Sequence, residues 1–76
     1  MDIRDVFARN LRRLRSEKEW SQEALADRAG MDRTYVSALE RCVYSASIDM
    51  VAKLARAFGV EPASMLEKKP VWHKRR

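Results

Sequence analysis

Residues 21–41, SQEALADRAGMDRTYVSALER, constrain this chain more than any other stretch. Ser21 stands ahead of Gln22, Glu23, Ala24 and Leu25, where its hydroxyl can accept from the free amides of a helix over about 22–29. Gly30 supplies the left-handed residue that closes such a helix. Asp32 caps the next helix, over about 33–41, after only two or three connecting residues. Two helices this short on so tight a joint cannot pack as a long hairpin. The turn drives them to cross steeply, and the small Ala26 and Ala29 let them approach.

The rest of the chain keeps the helical period. Ile3, Phe7, Leu11 and Leu14 recur at three- and four-residue steps, one apolar stripe on a first helix over about 3–18, with Arg4, Arg9, Arg12 and Arg13 on its other faces. Ser47 caps a fourth helix carrying Ile48, Val51, Leu54, Ala55 and Phe58, and Gly59 stops it. VEPASML reads as a short fifth helix with Pro62 in its first turn. No stretch alternates as a strand does, so the expected fold is all-α: five short helices in one domain over 1–66, followed by a basic tail over 67–76.

A chain of 76 residues makes one small domain with a modest core, leaving no room for a second, ligand-binding domain; no small-molecule effector is expected. No apolar run approaches ~18 residues, which argues against a membrane span. MDIRDVF lacks the features of a secretory signal, and a single cysteine fits a reducing cytoplasm. There is no paired-carboxylate, Cys–His or Ser–His constellation and no glycine-rich phosphate loop, so neither an enzyme nor a cofactor is expected. Cys42 and the distant His73 cannot make a zinc site, and no metal is expected. Of the net charge of +5, residues 1–66 hold 11 Lys/Arg against 10 Asp/Glu, or +1, and residues 67–76 hold 5 against 1, or +4. Such a tail either meets a polyanion or simply keeps the domain soluble.

The steep crossing holds the Val36–Leu39 side of the third helix in the core and lets its N-terminal half project. A helix presented in this way fits a duplex major groove about 12 Å wide. Arg33, Thr34, Ser37 and Ala38 are expected on the protruding face. Arg33 suits guanine N7 and O6, Thr34 a thymine methyl or a phosphate, Ser37 is adaptable, and Ala38 allows close approach. A phosphate is also welcome at the amino end of the second helix, where Gln22 adds a donor.

WSQEALADRAGMDRTYVSALER, 20–41, together with the helices on either side, resembles the lambda-repressor/Cro-like helix-turn-helix proteins, also called the XRE type, over roughly residues 4–66. The resemblance implies a DNA-binding transcriptional regulator: Gln22 on a phosphate, Arg33, Thr34, Ser37 and Ala38 toward bases, and Arg15 paired with Glu40. That pairing has a physical reason, because a partly buried Glu at a helix C-terminus opposes the helix dipole and needs a cation. DRTYVS looks most like the small controller proteins of restriction–modification systems, free-standing dimers that regulate their own operon. In that subset Tyr35 and the residues just after the third helix touch the DNA backbone, which implicates Arg41, Tyr44 and Ser47.

Two departures stand out. Cys42 replaces the family's usual Gly, so a left-handed residue there costs on the order of 1 kcal/mol or the helix ends differently. Tyr44 stands near a usually basic position and Ala46 at a frequent Pro, so the loop is expected to dock in its own way. One recognition helix covers only about four or five base pairs, which calls for a homodimer on a palindromic operator of double-stranded DNA. Pro62, Ala63, Met65 and Leu66 are the expected dimer surface. The competing reading is an antitoxin-like protein-interaction module of the same fold, distinguished by a co-purifying partner and no retarded DNA.

Overall fold

The computed structural model describes residues 2–68. Four α-helices run Ile3–Lys18 (α1), Gln22–Ala29 (α2), Arg33–Glu40 (α3) and Ile48–Phe58 (α4), and a 3-10 turn spans Pro62–Leu66. The all-helical class is as expected, but the fifth helix is a 3-10 turn. Glu61 offers it no side-chain cap, and the chain extends again at Glu67 after five residues. None of the described helices is long and apolar enough to cross a membrane.

Each α-helix starts on a short polar side chain. Asp2 Oδ1 accepts from the Arg4 amide at 2.9 Å, Ser21 Oγ from Ala24 at 3.0 Å, Asp32 Oδ1 from Thr34 at 2.7 Å and Ser47 Oγ from Met50 at 3.1 Å. These satisfy amides that the first helical turn leaves without partners.

The helix ends share one device. In each, a left-handed residue follows the helix, directly after α1, α2 and α4 and one residue later, at Cys42, after α3; the amide beyond it reaches back five residues: Trp20 to Arg15, Met31 to Ala26, Val43 to Ala38 and Val60 to Ala55. Gly30 (φ 70°) serves α2 at no steric cost, whereas Glu19 (φ 60°) and Cys42 (φ 62°) adopt the same backbone with a side chain in place. Cys42 therefore accepts the strained conformation, and α3 stops at Glu40, one residue earlier than expected.

Inside, Phe7, Leu11 and Leu14 of α1 meet Leu25 and Ala29 of α2, Val36 and Leu39 of α3, Leu54 and Phe58 of α4, and Met65 of the 3-10 turn in one apolar cluster. Trp20, just ahead of α2, stacks on Phe58 with centroids 5.6 Å apart, and the guanidinium of Arg28 in α2 lies 4.4 Å over its ring. Ile3 and Ile48, both assigned to core stripes by their spacing, stay exposed at the starts of α1 and α4.

One polar residue closes this core. Asn10 is buried, and its side-chain amide donates to the Met65 carbonyl at 2.7 Å and the Glu67 carbonyl at 3.0 Å, while its oxygen accepts from Arg13 at 3.3 Å. It holds the 3-10 turn against α1, which no local signal in the sequence announces. Asn10→Ala leaves two carbonyls without donors and is expected to cost about 2 kcal/mol in urea unfolding. Asn10→Asp, of the same shape, should cost more, because a carboxylate would face those carbonyls.

Candidate nucleic-acid interface

The joint between α2 and α3 is three residues, Gly30–Asp32, and the two helices pack directly on each other. On α3, Val36, Ala38, Leu39 and Glu40 are buried, Tyr35 and Ser37 are half-buried, and only Arg33 and Thr34 are fully exposed. What projects is thus the first turn. Ala38 was expected on the protruding face; at 5% exposure it lies in the interior. The cause is packing: α3 lies against both α2 and α1, and Glu40, held by Arg15 and Gln22, draws the second half of the helix inward.

Arg33 does not stand alone. With Arg15, Ser21, Gln22 and Glu23 it lines one open polar recess, where the first turn of α3 meets the amino end of α2. An exposed cation and the amino end of a helix thus share one surface, an arrangement that suits an anion such as a phosphate. Thr34 is tied locally: its backbone amide, and then its hydroxyl, hold the Asp32 carboxyl below the usual carboxylate range.

Behind the recess lies a buried carboxylate. Glu40 is 5% exposed and accepts from Arg15 Nε at 2.7 Å, Arg15 Nη2 at 3.0 Å and Gln22 Nε2 at 3.0 Å, while Arg12 donates to its backbone carbonyl. Arg15 also donates to the Trp20 carbonyl at 2.9 Å. The hydrogen bond to Glu40 raises the Arg15 pKa against the opposing effect of burial, so the guanidinium stays charged. Gln22, expected to hold a phosphate through its side chain, commits one of its two amide hydrogens to Glu40. A buried carboxylate draws in every donor within reach. The role of Arg12 was not visible in the run of arginines, although its i, i+3 spacing from Arg15 puts both on one side of α1.

The residues after α3, expected to touch the DNA backbone, lie outside the lining of that recess. Arg41 is exposed, and Ser47 holds the start of α4. Tyr44 is more than half exposed, and its ring lies 5.6 Å from that of Tyr35, tilted by 46°. The loop docks through Cys42, whose thiol donates to Asp5 Oδ1 at 3.2 Å; that bond, with burial, pushes the thiol pKa up, so Cys42 is held as a neutral thiol.

The expected dimer surface changes more. Met65 is fully buried in the core, because the tight 3-10 turn directs it inward and Asn10 binds its carbonyl, whereas Pro62, Ala63 and Leu66 remain exposed. With Leu66, three other exposed apolar side chains, Ile3, Tyr44 and Ile48, surround a groove of about 230 Å³ that reaches down to Phe7 and Val51. Val71, Trp72, His73 and most of the basic tail lie outside the described residues.

A short helix pair with an exposed first turn on the second helix, set beside a helix N-terminus, defines a helix-turn-helix DNA-binding protein of the transcription-regulator class. The chain belongs to the helix-turn-helix family HTH_3, which matches residues 11–65. It is 46% identical over 65 residues to a hypothetical transcription factor of Neisseria meningitidis serogroup B, covering 86% of this chain and 61% of that protein. The chain thus spans about three-fifths of that relative's length. It is 37% identical over 67 residues to the control protein C.BamHI of Bacillus amyloliquefaciens, covering 87% of this chain and 83% of that one. Among solved structures, the Neisseria transcription factor NHTF superposes with a TM-score of 0.86 at 45% identity, over 88% of this chain and 77% of that one. The restriction-modification controller protein C.AhdI of Aeromonas hydrophila superposes with a TM-score of 0.78 at 40% identity, over 82% of this chain and 94% of that one. These relatives are thus a hypothetical transcription factor and control proteins, one of them of a restriction-modification system.

Arg15→Ala strands the Glu40 charge and is expected to cost about 3 kcal/mol or more in urea unfolding. Asp32 titrates at a lower pH in the folded chain than in the unfolded one. Its cap therefore stabilises α3 at neutral pH, and the benefit is lost as pH falls through the folded pKa. Asp32→Asn keeps a capping oxygen without that titration, so its stability should fall less than wild type between pH 6 and the acid limb in a pH series of urea melts.

Proposed function

We propose that this chain is a sequence-specific DNA-binding regulator that works in the cytoplasm as a homodimer on a palindromic operator, in the manner of the restriction–modification controllers it resembles. The observation that carries this reading is the single recess where Arg33 stands beside the amino end of α2, backed by the buried Arg15–Glu40 pair. Arg33 enters the major groove and donates a bidentate pair to guanine N7 and O6, with Thr34 and Ser37 beside it. The backbone amides at the start of α2 take a phosphate, with Ser21 and the remaining amide hydrogen of Gln22 at its edge. Tyr35, Arg41, Tyr44 and Ser47 donate to the sugar-phosphate backbone on the other side of the helix. Ala38 and Met65 are left out of these assignments because both are buried.

Chemistry and arithmetic both support the dimer. One exposed helical turn specifies too few base pairs to mark a site, and two related by a two-fold axis double the information, with half-sites about 34 Å apart or a multiple of that. The apolar groove rimmed by Ile3, Ile48 and Leu66 is the face on which a second copy sits, with Pro62 and Ala63 beyond Leu66 as its margin.

Selection of bound sequences from a random DNA pool should return a palindrome whose half-site contains a guanine. Arg33→Ala should relax the preference at that base and cost about 1–3 kcal/mol per half-site. An equal loss on specific and random DNA would assign Arg33 to the backbone instead.

A further inference from the structure

Tyr44 belongs to two surfaces at once. It lines the apolar groove with Ile3, Ile48 and Leu66, and its ring packs 5.6 Å from that of Tyr35 on α3, the residue next to Thr34 and two from Arg33. We infer that a second copy of this chain, seated in the groove, clamps the first turn of α3 through the Tyr44–Tyr35 contact, so that self-association and DNA binding reinforce each other. This inference rests on the dimer reading given above.

The groove itself argues for a second copy as its occupant. Ile48 is 87% exposed and stands on the rim of a hollow of about 230 Å³, so a knob and a hole lie side by side on one face. A two-fold axis between them places each Ile48 in the other molecule's hollow, the self-complementary contact that a symmetric dimer requires. The one charged residue in the lining, Arg4, is paired with Asp2 at 3.0 Å. Two copies therefore meet without opposing unpaired like charges, and the lining gives a charged partner little to recognise.

The clamp follows from contact alone. Tyr44 is more than half exposed in the single copy, and a molecule covering the groove must cover it too. A ring held on its outer side has fewer positions, and Tyr35, packed against its inner side, loses freedom with it. Tyr35 does not line the groove, and Tyr44 is the lining residue whose ring packs against it. The coupling is reciprocal: DNA that holds Tyr35 in place must tighten the dimer by the factor by which the dimer tightens DNA binding.

The test uses the full chain without DNA. On dilution from dimer to monomer, the ring proton resonances of Tyr44 and Tyr35 should shift together by NMR, following the dissociation constant measured by sedimentation equilibrium. Tyr35→Ala, outside the groove, should weaken self-association about 5- to 10-fold, whereas Ile48→Asp should abolish it over the range where wild type dimerises. If Tyr44 shifts on dilution and Tyr35 does not, or if a folded Tyr35→Ala protein dimerises as wild type, the clamp is overturned while the dimer stands. A wild-type chain that stays monomeric, or an Ile48→Asp chain that dimerises normally, removes the groove as a self-association surface and the inference with it.

Discussion

The buried carboxylate of Glu40 is the point on which the three N-terminal helices are assembled. Taking a charge out of water costs several kcal/mol, recovered only if nearly every lone pair finds a donor. Here the donors come from two other elements: Arg15 from α1 and Gln22 from α2, with Arg12 satisfying the backbone carbonyl of the same residue. An apolar contact tolerates sliding, but a two-pronged guanidinium–carboxylate pair tolerates one orientation. The inner end of α3 is thereby set in rotation and depth. Because α3 has only eight residues, fixing that end decides what emerges at the other, namely Arg33 and Thr34.

A second constraint comes from the ends of the helices. Four consecutive helices stop with a left-handed residue, and two of these stops use Glu19 and Cys42 where Gly would be easier. At Cys42 the side chain is put to use, since its thiol binds Asp5 and draws the loop after α3 onto the first turns of α1. The loop then carries Tyr44 to a place between α3 and the apolar groove. A family departure in the sequence is thus also what brings this loop close to the face where a partner copy would sit.

Much of the fold was legible because it is governed by neighbours along the chain. Ser21, Asp32 and Ser47 each cap a helix with their own oxygen, and Gly30 and Gly59 end helices through their own backbone freedom. The side of α3 facing the core could also be read, since Val36 and Leu39 recur at helical spacing. Depth along the axis could not. Period places Ala38 near Thr34 on one face of the helix, but whether that face is covered there depends on how far the inner half of α3 sinks against its neighbours, and Ala38 lies within that half. The same limit applies to Ile3 and Ile48, which share stripes with core residues yet stand exposed at the first turns of their helices.

From its order of residues alone this chain determined its helices, its caps, the short joint after α2 and the cation at the head of α3, because each depends on groups a few residues apart. Tertiary structure alone decided that Gln22 braces Glu40, that Asn10 holds the 3-10 turn, that Met65 turns inward and that Tyr35 meets Tyr44. Those contacts join groups from separate elements, and which of several possible donors or faces is used depends on distances that exist only once the helices have packed.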